Sequence, residues 1–255
     1  MLSIVAAIPR FVFRSLMLTG FLLFLLMPTV FLISRNRNRK TGEGATKADQ
    51  AAVRLARSLA WLFGIKVEIT GAPVSGAVLF TANHISWLDI PVVHSACAMG
   101  FVGKAEIEQW PIFSFIARAG GTIFHQRGSH DSATGVAHAM EQRLLEGRAV
   151  TIFPEGGIKP GVKEVRVFHA RMYRPAVEVG CPVQPVMIRY MQNGQQDHDF
   201  SFRVGESMMR NIIRVLARKG VTAELCFLPP IEAAGKPRRE LAEASRAAVI
   251  NAYES

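Results

Sequence analysis

A run of twenty residues without a charged side chain lies near the start of this 255-residue chain, from Ser15 to Ser34. As a helix it would extend about 30 Å, which matches the hydrocarbon thickness of a bilayer. A helix that is apolar on every side is not typical of the surface of a soluble protein. Cations at 35–40 follow it, and no small-residue cleavage site of a signal peptide does. We therefore expect residues 1–40 to form a membrane anchor.

The distribution of positive charge around this segment predicts its orientation. Arg10 and Arg14 precede it, and a larger number of cations follow it. The downstream cations are the four within 35–40 and then Lys47, Arg54 and Arg57. By the positive-inside rule, the downstream part lies on the cytoplasmic face of the inner (plasma) membrane. Gly20 and Pro28 leave open a bent hairpin within one leaflet instead of a straight span.

Residues 41–64 read as a polar linker and an amphipathic helix, Ala51–Phe63, that Gly64 ends. Beyond it, short apolar strand patterns alternate with helical patterns. Strands are predicted at 66–70, 77–80, 100–104, 122–125, 149–153, 183–190 and 222–228. Helices are predicted after Trp87, at 112–119, 132–146, 172–179 and 208–219, and from about 238. This alternation predicts that 65–255 form an α/β domain with a mixed, mostly parallel sheet flanked by helices.

Residues 83–89, Asn-His-Ile-Ser-Trp-Leu-Asp, place a histidine and an aspartate five positions apart after a predicted strand. His84 is suited to accept a proton from a hydroxyl, and Asp89 to orient the imidazole. Five residues of continuous helix rotate by about 500°, so the two meet only if His84 lies before a helix and Asp89 in its first turns. Ser86 is then the expected cap. The structural alternative is that Asp89 only supports a helix N-terminus and His84 is a polar residue at a strand end.

Three further stretches follow this motif in order. Residues 121–127, Gly-Thr-Ile-Phe-His-Gln-Arg, are a short strand ending in a cation, and 152–156, Ile-Phe-Pro-Glu-Gly, are a strand entering a tight turn. Residues 181–186, Cys-Pro-Val-Gln-Pro-Val, are an apolar strand entered through prolines. Together the four motifs resemble those of the glycerolipid acyltransferase family, over about residues 52–231. The resemblance implies acyl transfer from a thioester to the free hydroxyl of a lysolipid.

The resemblance also implies roles for residues at other predicted strand ends. In the family, cations at the positions of Lys104 and Arg127 contact the phosphate of the acceptor, and the carboxylate at the position of Glu155, next to Gly156, helps to shape the acceptor site. A lysine and an arginine at neighbouring strand ends are suited to holding a phosphate. The alternatives are that both cations are solvated loop residues and that Glu155 binds backbone amides of the 156–157 turn.

The third motif departs from the family pattern, in which threonine and arginine follow Pro-Glu-Gly. This chain has Gly157 and Ile158 there, and whether Lys159 replaces the missing arginine is left open. Residues 167–171, Val-Phe-His-Ala-Arg, resemble the branch that acylates lyso-ornithine lipids. We therefore expect 1-acylglycerol-3-phosphate (lysophosphatidic acid) as the acceptor, giving phosphatidic acid, with lyso-ornithine lipid as the alternative. The alternative hypothesis from another functional class is a non-catalytic membrane protein that binds lipid.

The expected chemistry is direct transfer without a covalent acyl-enzyme, because no Gly-x-Ser-x-Gly motif is present and Cys97 reads as a small buried residue. Backbone amides near Gly156 and Gly157 are candidates to stabilise the oxyanion. His125 and His169 are weaker candidate bases, since neither has an acid at comparable spacing. No metal cluster, phosphate-binding loop or dinucleotide motif occurs, so we expect no cofactor, and acyl carrier protein or coenzyme A carries the acyl group as co-substrate.

The net charge of +10 favours an anionic partner, such as a membrane surface or an acidic carrier. Nucleic acid is not expected, because zinc-finger spacing, RNA-binding strand motifs and basic-region heptads are missing. Three scattered cysteines fit a reducing compartment. The helix 208–219 carries Arg210, Arg214 and Arg218 beside an apolar face. This pattern suits an anionic surface, although an ordinary half-buried helix is the preferred explanation.

Overall fold

The computed structural model describes residues 2–36, 46–105, 117, 121–125 and 130–255. Its strands are β1 (Ile65–Thr70), β2 (Leu79–Ala82), β3 (Gly100–Lys104), β4 (Ile123–His125), β5 (Val150–Ile152), β6 (Val183–Gln192), β7 (Gln195–Gln196) and β8 (Val221–Phe227). Its α-helices are α1 (Leu2–Gly20), α2 (Met27–Asn36), α3 (Lys47–Leu62), α4 (Asp89–His94), α5 (His130–Leu145), α6 (Arg174–Val179), α7 (Met208–Ala217) and α8 (Arg238–Glu254). A π-helix, Phe21–Leu26, joins α1 to α2, and a 3-10 turn, Ala170–Tyr173, precedes α6. The predicted helix 112–119 lies outside the described residues except for residue 117.

The strands form one mixed sheet in the order β1-β8-β6-β2-β5-β3-β4, and β7 pairs with β6. Neighbouring strands are parallel except for β6 with β8 and β6 with β7. The predicted fold class, a mixed and mostly parallel sheet flanked by helices, is confirmed. The fully buried β2 lies between β5 and β6. Because β2 and β5 run in the same direction, their carboxyl ends meet at one edge of the sheet, where open α/β sheets build their sites.

Two hydrophobic cores cover the two faces of the sheet. Phe80 of β2 points into a core shared with α3, α4 and α7, whereas the adjacent Leu79 points into a core shared with α5, α6 and α8. This alternation follows from the period of two in a strand, and burial on both faces explains why the central strands are mostly apolar. The molecule therefore has helices on both sides of the sheet.

The N-terminal segment is helical from Leu2 to Asn36, a longer stretch than the predicted Ser15–Ser34. The backbone keeps right-handed helical dihedral angles at Gly20 and Met27, so the hairpin suggested by Gly20 and Pro28 does not form there. The π-helical turn instead precedes Pro28, which supplies no backbone donor. Within this segment, residues 7–31 are long and apolar enough to cross a membrane by length and composition alone.

The first helix is attached to the domain through two arginines. Arg10 donates to the carbonyl of Ala217 at 3.0 Å, and Arg14 donates to the carbonyls of Leu216 and Arg218 at 3.2 and 2.9 Å. These carbonyls lie at the C-terminus of α7, where backbone acceptors have no intrahelical partner and cations are favourable. The side chains on the outer face stay exposed, for example Phe24, which is 79% accessible.

Helix α3 begins four residues before the predicted start. Thr46 caps it by accepting from the amide of Asp49, while the Asp49 carboxylate accepts from the Thr46 amide at 2.8 Å. This reciprocal capping box stabilises the first turn of α3. The prediction had assigned these residues to the polar linker. At the other end, Gly64 adopts φ +76°, which confirms its role as the stop.

Arg214 of α7 and Arg218, which directly follows the helix, form ion pairs with the preceding loop. Arg214 Nε lies 2.7 Å from Glu206 Oε1, and Arg218 contacts Asp197 and Asp199. The helix is therefore half-buried with charges neutralised on its loop side, which agrees with the preferred explanation of its sequence pattern. Arg210 lies on the exposed side.

Candidate active site

The turn that carries the His-x4-Asp motif follows β2, and Asn83 fixes the position at which it leaves the strand. The side-chain amide of Asn83 donates to the carbonyl of Ile188 at 2.8 Å and accepts from its amide at 2.8 Å. Asn83 thereby replaces one residue of backbone pairing between the end of β2 and the neighbouring β6. This buried pair of hydrogen bonds determines where the next residue, His84, leaves the sheet.

His84 and Asp89 are in direct contact. His84 Nδ1 lies 2.8 Å from Asp89 Oδ2, and the same oxygen accepts from the amides of Ile85 and Ser86 at 2.6 and 2.9 Å. Helix α4 begins at Asp89, as the convergence of the two side chains requires. Ser86 is not the cap that we expected, because Leu88 occupies that position without a side-chain bond, and the Ser86 hydroxyl accepts from the amide of Leu88 at 3.3 Å.

Asp89 is fully buried, and its second oxygen is also satisfied. The hydroxyl of Tyr190 donates to Asp89 Oδ1 at 2.7 Å. Burial and the Asp89 carboxylate raise the pKa of Tyr190 well above its usual value, so the phenol stays a donor. Sequence reasoning missed Tyr190, because it lies 101 positions after Asp89 and nothing in its local pattern distinguishes it from other core tyrosines.

The His84 ring stacks on Phe153, with ring centroids 3.9 Å apart and planes 14° from parallel. Its side chain is 12% exposed, and the residue lines an open cleft. Since Nδ1 faces Asp89, the nitrogen that is left to exchange a proton is Nε2. Packing and hydrogen bonding thus hold both the orientation of the ring and its tautomer.

Glu155, in the turn after β5, supports the turn that carries His84. Its Oε1 accepts from the backbone amide of His84 at 3.1 Å, and its Oε2 lies 3.0 Å from Arg166 Nε. Arg166 also donates to the carbonyl of Gly157. Burial raises the pKa of Glu155, and the His84 amide and Arg166 oppose that rise. The suggestion that Glu155 binds the amides of its own turn was therefore wrong. Arg166 was missed, since it lies in a loop outside every motif.

Gly156 has φ +79°, a conformation that favours glycine at this turn. Its amide donates to the carbonyl of Phe153 at 3.1 Å, so it is already engaged. This contact argues against Gly156 as an oxyanion donor and leaves the amide of Gly157 as the candidate in this turn. The imidazole of His169 lies beside Gly156: a Cβ added to this glycine would be 3.5 Å from His169 Cδ2, an ordinary contact distance.

The cleft is open to solvent and includes residues from the motif turn, the Glu155 turn, the following loop and α8. Its lining residues are Asn83, His84, Ile85, Glu155, Lys159, Val162, Lys163, Glu164, Val165, Arg166, His198, Ser201 and Tyr253.

The other predicted residues are only partly described. Lys104 ends β3 and is in register with His125 at the end of the parallel β4, but the side chains of both lie outside the described residues. Arg127 lies outside them entirely. Burial raises the pKa of Cys97 to about 12, which does not suit a nucleophilic thiolate. Within the part of the chain that the structure describes, no group of three metal-ligating side chains occurs.

Known proteins resemble this chain along most of its length. A family model described as Acyltransferase matches residues 64–189. The lyso-ornithine lipid O-acyltransferase of Pseudomonas aeruginosa is 34% identical over 84% of this chain and 82% of its own. The 1-acyl-sn-glycerol-3-phosphate acyltransferase of Neisseria gonorrhoeae is 26% identical over 81% of this chain and 82% of its own.

The fold also matches a solved structure. The crystal structure of the 1-acyl-sn-glycerophosphate acyltransferase of Thermotoga maritima superimposes with a TM-score of 0.69 and 21% identity, covering 99% of this chain and 96% of that one. At this identity the match supports the fold. Together with the family model and the Pseudomonas relative, which is similar along most of both chains, it leads to one conclusion: this chain belongs to the acyltransferase family.

Proposed function

We propose that this protein is a membrane-bound O-acyltransferase that transfers a fatty acyl group from a thioester to the free hydroxyl of a lysolipid. The observation that carries the proposal is the contact between His84 and the buried Asp89 at the edge of an open cleft. A base, an acid that orients it and access for a substrate from the surface are the minimum that this reaction requires.

The proposed reaction begins with the acceptor hydroxyl against His84 Nε2. The nitrogen takes the hydroxyl proton as the oxygen attacks the thioester carbonyl carbon, and Asp89 stabilises the imidazolium that forms. Collapse of the tetrahedral intermediate breaks the carbon–sulfur bond, and the departing thiolate receives the proton from His84. The amide of Gly157 is our candidate donor to the oxyanion, while the ion pair of Glu155 and Arg166 holds the backbone of His84.

Lyso-ornithine lipid is the acceptor that we favour. The Pseudomonas relative, 34% identical, carries that acceptor in its name, and Ile158 stands where the phosphate-binding arginine is expected. Lysophosphatidic acid is the second candidate, which the Neisseria relative and the positions of Lys104 and Arg127 favour. Both acceptors present a free hydroxyl on an acylated lipid, so the same base serves either.

The proposed location is the cytoplasmic face of the plasma membrane. The apolar helix at residues 7–31 and the cations after it support this location. Exposed apolar side chains on neighbouring helices, Trp61 on α3 and Met209 on α7, are suited to the interface of the same bilayer. Either acyl carrier protein or coenzyme A serves as the thioester donor in this proposal.

An acyl-transfer assay tests the proposal. The full chain is purified in detergent and given lyso-ornithine lipid or lysophosphatidic acid, each with both thioester donors, and the products are identified by mass spectrometry. We expect a diacylated product from lyso-ornithine lipid. A non-catalytic lipid-binding protein would bind the lysolipids without turnover, and that result would contradict the proposal.

A further inference from the structure

The loop after the Glu155 turn forms a charged wall of the cleft. Lys159, Lys163, Glu164 and Arg166 all line the cleft that contains His84, and we call these four residues the charged wall. The wall lies beside the His84–Asp89 pair, to which Arg166 is connected through Glu155, and it includes Lys159, the residue considered above in place of the missing arginine. Charged side chains around a cleft determine which substrate groups are bound there, so these four residues bear on the choice of substrate.

Helix α8 fixes this wall in place. Arg246 donates to the carbonyl of Arg166 at 2.8 Å and to the carbonyl of Val165 at 3.0 Å. The hydroxyl of Tyr253 donates to the carbonyl of Lys163 at 3.2 Å. Three side-chain contacts from one helix therefore hold a loop without regular structure of its own, as a binding site requires of its supporting residues.

The wall presents charges of both signs. Arg166 pairs with Glu155 and uses Nε and one terminal nitrogen in its contacts, which leaves three of its five N–H donors for a ligand. Lys163 and Glu164 are exposed neighbours. The pKa of His198, on another part of the lining, is lowered first by burial and then by the charge of Lys163.

This arrangement suits a zwitterion better than a phosphate monoester. A phosphate monoester carries up to two negative charges and is bound best where cations converge, so the carboxylate of Glu164 would repel it. An amino acid joined to a lipid through one of its amines keeps a carboxylate and, when a second amine is present, an ammonium. Arginine binds carboxylates through two parallel hydrogen bonds, and a carboxylate pairs with an ammonium.

We propose that the charged wall is a headgroup subsite for a zwitterionic amino-acid lipid, with the carboxylate on Arg166 and Lys163 and the ammonium on Glu164. Arg166, eight positions after Ile158, thereby supplies the guanidinium that the family pattern places at position 158. This assignment rests on the proposed acyltransferase function and adds to it the chemistry by which the acceptor is chosen.

Steady-state kinetics of the full chain in detergent test the subsite. Lyso-ornithine lipid provides the zwitterion and lysophosphatidic acid the dianion. Glu164→Gln should raise KM for lyso-ornithine lipid about fivefold, leave kcat unchanged, and leave or lower KM for lysophosphatidic acid. Lys163→Gln should raise KM for both acceptors. The matched controls are Glu68→Gln and Lys66→Gln, which change an exposed ion pair on the edge strand β1.

Two results would overturn the subsite while the enzyme assignment stands: Glu164→Gln kinetics equal to those of Glu68→Gln, or wild-type turnover of lysophosphatidic acid alone. If wild type acylates neither acceptor, the proposed function fails, and binding of lyso-ornithine lipid then decides the subsite. Weaker binding by Glu164→Gln than by wild type and the Glu68 control would support it, and equal binding would overturn it.

Discussion

The hydroxyl of Tyr190 and the Oδ1 atom of Asp89 are 2.7 Å apart in the centre of the protein. The other oxygen of Asp89 serves His84 and two backbone amides, so the carboxylate is saturated with donors. These donors fix the orientation of the carboxylate. Tyr190 therefore acts through Asp89 on the histidine and is a positioning residue.

Replacing Tyr190 with phenylalanine should separate positioning from packing. The ring still fills the core, but Asp89 loses a charged hydrogen bond worth about 2 kcal/mol. We expect kcat to fall about tenfold with little change in KM, since the acceptor does not touch the phenol. Steady-state kinetics of Tyr190→Phe on the preferred lysolipid measure the effect.

The control is Tyr173→Phe, because Tyr173 is equally buried but packs in the core on the opposite face of the sheet. Equal kcat losses in both variants would mean that any buried tyrosine matters only for the fold, and the positioning role would be abandoned.

Arg166 should stabilise the fold through Glu155. The Glu155 side chain is only 4% exposed, so Arg166→Ala leaves a buried carboxylate without its cation. We expect the free energy of unfolding to fall by about 3 kcal/mol at pH 8. The loss should be smaller at pH 4, because burial already raises the pKa of Glu155 and a protonated carboxyl needs no cation.

Urea denaturation at the two pH values measures this loss, and the double variant Glu155→Gln with Arg166→Ala completes the comparison. The double variant should be more stable than the sum of the two single changes predicts. Additive losses would show that the two side chains do not stabilise one another.

Acid should weaken the attachment of α7 to its preceding loop. The hydrogen bond from Arg214 lowers the pKa of Glu206 from 4.5 to about 2. A lowered carboxyl pKa stabilises the folded state above the ordinary pKa, and this contribution is lost as pH falls from about 4.5 to about 2. Urea midpoints of wild type and Glu206→Gln should therefore differ at pH 6 and converge toward pH 2. A constant difference across this range would contradict the assignment.

Arg14 should join helix α1 to α7 without being needed for membrane binding. Gly64 permits the approach, since a Cβ there would overlap the guanidinium of Arg14. In Arg14→Ala we expect faster hydrogen exchange at the end of α7, while the protein still sediments with phospholipid vesicles through its apolar helix. Arg54→Ala, on the exposed side of α3, is the control. Release of the Arg14 variant from vesicles would mean that the arginine contact holds the anchor.

Local patterns in the sequence predicted the parts of the molecule that local physics determines. The strands and helices follow hydrophobic periodicity, and Gly64 ends α3 in the left-handed conformation that glycine favours. His84 and Asp89 were paired correctly because they are separated only by the short turn between the end of β2 and the start of α4. The start of α3 was placed too late, since the reciprocal bonds of Thr46 and Asp49 were not recognised.

The remaining site residues could not be found in this way, because tertiary contacts bring them together. Tyr190 reaches Asp89 across 101 positions, and Trp87 of the motif donates to Asn211 across 124 positions. Arg166 lies in a loop whose path depends on contacts from α8. A single sequence carries no signal for such pairs, since each side chain alone resembles an ordinary core or surface residue.

Acyl transfer by wild type and His84→Ala, measured in parallel on lyso-ornithine lipid and lysophosphatidic acid, tests the central claim most directly. We predict that the variant folds, associates with membranes as wild type does, and loses at least about 10²-fold in kcat on the accepted lysolipid. A folded His84→Ala protein that retains wild-type turnover would contradict the assignment of His84 as the base.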